Sequence, residues 1–145
     1  MLDLALAIGH HLLIFALFGV LCAELVAVRK GMDAPAVSRI AAVDLWYGGL
    51  AALILIVGFS RAVFAAKGWL YYEHNAFFWA KIGTFALVGL LSVPPTIRFI
   101  AWRRTGAAPS DQQVAGVRRY LMAEVLLFAL LPAFAAAMAR GYGAF

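Results

Sequence analysis

Cysteine is almost missing from the 145 residues: Cys22 stands alone, which excludes an intramolecular disulfide and a Cys-x-x-Cys-His haem attachment. Its place inside an apolar run gives it a packing role. Charge is scarce too, at 13% of residues against 66% hydrophobic, far from the balance of a soluble domain. No glycine-rich phosphate loop, His-Glu-x-x-His zinc pair or serine nucleophile with a convincing base is present, which removes the chemistries those motifs support. The four methionines are scattered and make no copper-binding cluster. A low-complexity tail and a soluble extension are absent as well. The first apolar run carries Asp3 in place of a basic leader, is too long for a secretory core and is followed by further runs, so it is expected to stay in the chain.

What the chain has is apolar length. Four runs, at about 4–28, 40–66, 76–99 and 120–139, each suffice to cross a hydrocarbon layer of about 30 Å, which takes roughly 20 helical residues. Barrel strands would be shorter and alternating, so helices are expected. The fold class is all-α: a single integral membrane domain, a four-helix transmembrane bundle, antiparallel because the connections are short. The net charge of +5 sits in segments flanking the runs, the pattern of membrane topology rather than of nucleic-acid binding.

Those cations also orient the bundle. Arg29, Lys30 and Arg39 bracket the first connection and Arg98, Arg103, Arg104, Arg118 and Arg119 the third, whereas the middle one has Arg61 and Lys67 and the C-terminal end Arg140. The positive-inside rule then turns both termini away from the cytoplasm. Between Arg61 and Lys81, the rings of Trp69, Tyr71, Tyr72, Phe77, Phe78 and Trp79 are expected to form an outer interfacial belt. Residues Thr105 to Gln113 read as a solvated turn, with Pro109 discouraging a continuous helix. Pro94 and Pro95 are expected to kink or end the third helix, and Pro132 to kink the fourth. Gly48, Ala51, Ala52, Gly58 and Ala62 keep one side of the second helix small, and Gly83 and Gly89 the third, which suits close packing and a homodimer.

Ionisable residues inside the runs carry the functional signal, because a charge at the bilayer centre costs at least ~2.5 kcal/mol. At about 1.5 Å per residue, Glu24, Asp44 and Glu124 each lie roughly 7 Å inside a flanking arginine and share one inner layer. They either pair with interfacial arginines and fix register or serve as a proton relay or cation entry site. His10, Arg61 and Lys81 share an outer layer by the same measure. The two cations either snorkel to headgroups or face inward with His10 as an anion pocket for haem propionates or a quinone headgroup. His10 and Glu24 stand fourteen residues apart, close to four turns, and so share a face with Leu13, Leu17 and Leu21. His11 projects about 100° away. His10, and less so His74, are the imidazoles available to a haem iron.

The run Arg61, Lys67, Gly68, Tyr71, Tyr72, Asn75, Phe78, Trp79, Lys81 resembles the signature of an uncharacterised bacterial four-span inner-membrane family. More distantly, His10, Trp79-Ala80-Lys81 and Arg118-Arg119-Tyr120 through Glu124-Val125 are similar to stretches of HemJ-type protoporphyrinogen oxidases, with CopD-type membrane domains as a further likeness. That resemblance implies haem b and a redox role. The chain departs from the HemJ pattern where Asn-Glu-x-Pro would stand, having Ala123-Glu124-Val125-Leu126.

The sequence therefore presents a haem-binding redox protein, with His10 as cofactor and metal ligand, Arg61 and Lys81 as propionate or quinone anchors, and Glu24 and Glu124 as catalytic proton carriers. Its partners are then the lipid bilayer and a quinone or membrane redox protein. The other reading is a non-catalytic membrane component that stabilises or assembles a partner complex.

Overall fold

Long apolar runs that must satisfy every backbone amide internally can only become helices in lipid. The computed structural model, which describes residues 1–64 and 68–145, contains six helices among those residues: α1 (Leu2–Ala27), α2 (Ala34–Phe64), α3 (Gly68–Glu73), α4 (Ala76–Thr105), α5 (Asp111–Phe128) and α6 (Leu130–Ala139). Lys67 and Ala66, assigned above to the middle connection and the end of the second run, lie outside the described residues. Four stretches are long and apolar enough to cross a membrane: α1, α2, α4 and the joined α5 and α6.

α2 starts before its apolar run, α4 ends after its own and α5 starts before the last one, because polar residues continue a helix once caps satisfy its ends. The last run shows how. Ser110 Oγ accepts from the Gln113 amide at 3.3 Å while Gln113 Oε1 accepts from the Ser110 amide at 3.0 Å, a capping box that starts α5 inside the stretch expected to be a turn. Gly106, at φ +65°, closes α4, so the connection narrows to residues between Gly106 and Ser110.

The prolines act differently from one another. α4 runs through Pro94 and Pro95 to Thr105, so of the kink or end expected there the end does not occur. Prolines are tolerated in spans where hydroxyls and neighbouring helices re-satisfy the freed backbone. Pro132, in contrast, coincides with a break: regular helix stops at Phe128 and resumes at Leu130, since Pro132 has no amide for the Phe128 carbonyl.

α1 lies against α2 and α5, and α4 against α2, α5 and α6, so the spans close into an up-down-up-down ring. Among the described residues no Cα pair brings α1 within 8 Å of α6. The ring is therefore sealed between first and fourth spans only at the α5 end. Leu17, Leu21, Ile40, Phe99 and Leu121 form its core. Leu12, Phe15, Leu45, Trp46 and Leu126 are exposed on its outside, and this all-round apolar surface requires lipid as its solvent.

The outer aromatics depart from the expected belt. Tyr72 and Phe78 are buried with Ala62 in a second apolar cluster that also takes Trp69, Tyr71, Ile82 and Met138, while Trp79 stays exposed. The short helix α3 packs against α2 and α4, and these rings meet one another. The small-residue side of α2 also divides. Ala62 is buried and Gly58 meets α1, whereas Gly48 and Ala52 face outward, and a methyl at Gly83 or Gly89 would touch nothing within 4 Å.

Candidate functional site

Two polar layers interrupt the core. In the inner one, α1 contributes Glu24, α2 contributes Asp44 and Tyr47, α4 contributes Thr96, and α5 contributes Glu124. Glu24, Asp44 and Glu124 are only 2%, 7% and 0% exposed, and Asp44 and Glu124 lie within Coulombic range of Glu24. The Thr96 hydroxyl donates to Asp44 Oδ1 at 2.8 Å and the Tyr47 hydroxyl to Glu124 Oε2 at 3.1 Å. Oε1 of Glu24 and Oε1 of Glu124 are buried without a hydrogen-bond partner.

The arginine pairing considered for these acids does not occur. Among the described residues the ion pairs are Lys30 with Asp111 at 3.4 Å and His74 with Glu73 at 3.7 Å. Arg29, Arg39 and Arg119 are exposed, their long stems carrying the charge outward. Arg118 instead donates through Nη1 to the Leu25 and Val28 carbonyls. Asp44 and Glu124 are thus each held by a hydroxyl rather than by a cation. Among the described residues no group of three or more His, Cys, Asp or Glu side chains is arranged to hold a metal ion.

Tyr47 and Glu124 should behave as a unit. Tyr47→Phe and Glu124→Leu are each expected to lower stability by about 1–2 kcal/mol, since each strands a buried polar partner. The double variant should recover most of that loss. Unfolding titrations in detergent around this four-member cycle measure the coupling, and additive losses would show that the hydrogen bond contributes nothing.

In the outer layer the imidazole of His10 lies against α2 at Gly58, where an added Cβ would stand 3.1 Å from Cε1 and 3.5 Å from Nδ1. Arg61 follows one turn along α2, and Lys81 comes from α4 with Nζ 5.6 Å from the centre of the Phe78 ring, a cation–π contact. His10, Arg61 and Lys81 are half-buried and lie within Coulombic range of one another. His10 Nδ1 and Arg61 Nε are buried without a partner. Among the described residues the side chains within that range of His10 are Lys81, Arg61 and His11, all of basic type.

The other two histidines are placed elsewhere. His11 is exposed, its Nδ1 2.6 Å from the Ala7 carbonyl oxygen, and His74 is exposed with Nδ1 3.0 Å from the Leu70 carbonyl oxygen. His74 lies apart from His10, whereas the His11 ring meets that of His10 edge-on with centroids 6.3 Å apart and turns its own Nδ1 away to the backbone.

Above this layer sits a clasp that the sequence reading missed. Asn75, 1% exposed, accepts through Oδ1 from the Phe77 and Phe78 amides and donates through Nδ2 to the Tyr142 carbonyl. One side chain therefore caps α4 and ties down the C-terminal segment. Tyr71 adds a hydroxyl bond to the Met138 carbonyl at 3.1 Å. The signals were present in outline: Asn75 directly precedes an apolar run, as caps do, and Tyr47 stands three residues after Asp44, on the same helical face.

Fold and polar layers together define a multi-span α-helical membrane protein with a hydroxyl-bonded acid layer and an uncompensated basic layer. The chain belongs to the family described as "Predicted membrane protein (DUF2214)", which it matches over residues 2–143. No curated protein and no solved structure shows significant similarity to it. The likeness to HemJ-type and CopD-type proteins rests on the short stretches quoted above alone.

Proposed function

We propose that this chain is a redox protein of the bacterial inner membrane whose outer layer takes the oxygen-rich headgroup of a membrane-soluble redox group. One observation carries the reading: His10, Arg61 and Lys81 converge from three helices with only basic groups within range of His10. Uncompensated basic groups inside a membrane are costly, and an anionic or carbonyl oxygen relieves that cost. His10 Nδ1 and Arg61 Nε, both lacking partners, are the atoms that would be satisfied.

Two groups suit this chemistry. Arg61 and Lys81 would hold the two propionates of haem b and His10 would ligate its iron, a group that would supply one-electron transfer. The fit is partial. The described residues give one inward imidazole, no second ligand for the iron beside it, and no acceptor behind Nδ1 of the kind that usually orients a ligating histidine. A quinone headgroup asks only for the N–H donors. Glu24 and Glu124 would hold the protons that accompany the electrons, at the opposite end of the Leu13, Leu17 and Leu21 stripe.

Absorption spectra of the detergent-purified protein, oxidised and then reduced with dithionite, separate these forms. A Soret band that His10→Ala removes or shifts supports haem b, and a colourless protein that yields quinone on organic extraction supports the other. A colourless protein with neither, and no response to haem titration, discards the redox reading in favour of a non-catalytic membrane component.

The orientation rests on the cations of the α1–α2 and α4–α5 connections. A periplasmic reporter fused after Phe145 is expected to be active, and activity only from a cytoplasmic reporter there would invert the topology.

A further inference from the structure

At the arginine-rich end of the bundle, a groove of about 510 Å³ runs between the end of α1 and the start of α5, lined by Arg29, Lys30, Val114, Ala115 and Arg118. We infer that this groove binds the phosphate of an acidic phospholipid, independently of the redox site at the other end. Three of its five lining residues are cations. Among the described residues the acid that pairs with them is Asp111, which meets Lys30 at 3.4 Å with both side chains well exposed, a pair too weak to hold Lys30 away from a better anion.

Arg118 gives the site its fixed part. Its Nη1 donates to the carbonyls of Leu25 and Val28, which immobilises the guanidinium across the end of α1. Nε and Nη2 make no protein hydrogen bond among the described residues. They present the remaining edge of the planar fork, the geometry that matches two oxygens of a phosphate. Arg29 and Lys30, both exposed, supply mobile charge around it.

The choice of a lipid over a free anion follows from where the groove lies. Val26, 77% exposed, stands three and four residues before Arg29 and Lys30, so the apolar outside of the span gives way to cations within one turn. Val114 and Ala115 add an apolar wall beside the charges. A headgroup with its acyl chains still in the hydrocarbon meets both surfaces at once, and cationic pockets between spans at the headgroup level are recognised sites for acidic lipids.

Native mass spectrometry of the purified protein, titrated with phosphatidylglycerol or phosphatidylcholine, tests this. One phosphatidylglycerol per chain should persist where phosphatidylcholine dissociates. R29Q/K30Q should weaken that retention about 30-fold, given roughly fivefold per cation near a membrane surface. K30Q alone should cost about fivefold, and it reports if the double variant folds poorly. R103Q/R104Q removes the same charge from the same end of the bundle outside the groove and should change retention less than twofold. Equal retention of the two lipids, an equal loss in R103Q/R104Q, or displacement of phosphatidylglycerol by millimolar inorganic phosphate would each overturn the inference, the last by marking a site for a soluble anion.

Discussion

Asn75→Ala is expected to be among the most damaging single substitutions in the chain, lowering stability by about 2–3 kcal/mol. Loss of a helix cap alone costs roughly 0.5–2 kcal/mol, and here the same side chain also serves the Tyr142 carbonyl at 3.0 Å. Its backbone neighbours complete the clasp: Ala76 donates to Gly143 at 2.8 Å and Phe145 to the His74 carbonyl at 3.1 Å. Gly143 cannot be replaced to compensate. It sits at φ +79°, and a Cβ there would come 2.6 Å from the Phe77 ring. Two readouts check the prediction, the denaturant midpoint in detergent and the rate of tryptic cleavage after the exposed Arg140, which should rise as the C-terminal segment lifts. Asn75→Asp separates the roles, since it keeps the cap acceptor but loses the donor to Tyr142. It should speed cleavage while preserving more of the midpoint. Should both readouts stay at the parental values in Asn75→Ala, the clasp has no energetic weight.

Arg118→Met should produce a loss of similar size at the other end of the bundle, about 2–3 kcal/mol. Hydrogen bonds to a charged donor contribute roughly 1.5–3 kcal/mol, and here one guanidinium nitrogen reaches Leu25 at 2.6 Å and Val28 at 2.5 Å. These are carbonyls at the end of α1, which a helix cannot satisfy from within, and a cation is favoured there by the helix dipole. The bond also joins the first span to the fourth at the end of the bundle where those spans touch. Methionine keeps the packing volume and removes the donors. Arg119→Met is the control, because Arg119 is exposed and an ordinary surface change stays within about 0.5 kcal/mol. A detergent unfolding series of the two variants decides the matter: equal effects would mean that Arg118 acts only as charge near the membrane surface.

The residues differ in how openly they declared themselves. The α1 stripe of Leu17, Leu21 and Glu24, all buried, follows from helical spacing alone, and the outward His11 follows from the same arithmetic. Tyr47 and Thr96 were not legible as partners of Glu124 and Asp44. They lie 77 and 52 residues away along the chain, and no local pattern encodes which hydroxyl on a neighbouring span stands opposite a carboxyl. The arginines misled for a related reason. Sequence places Arg29, Arg39 and Arg119 near the acids in depth, but a long stem at a membrane boundary can turn toward water, and these do. The aromatic stretch was read by composition as an interface, whereas α3 folds Tyr72 and Phe78 into a cluster of their own.

What the sequence alone determined is the element type, the number of spans, the depth of each polar group and the direction each face takes within its own helix. Those properties depend on hydropathy, length and the fixed rise and turn of a helix, all local. Tertiary structure alone decided which faces meet: that His10 rests on Gly58 with Arg61 and Lys81 beside it, that hydroxyls rather than arginines hold the acids, and that Asn75 and Arg118 lock opposite ends of the bundle. Lipid is as apolar as a leucine core, so hydrophobicity does not choose between the faces of a span. Close packing and the pairing of a few polar atoms make that choice, and they exist only once the helices have come together.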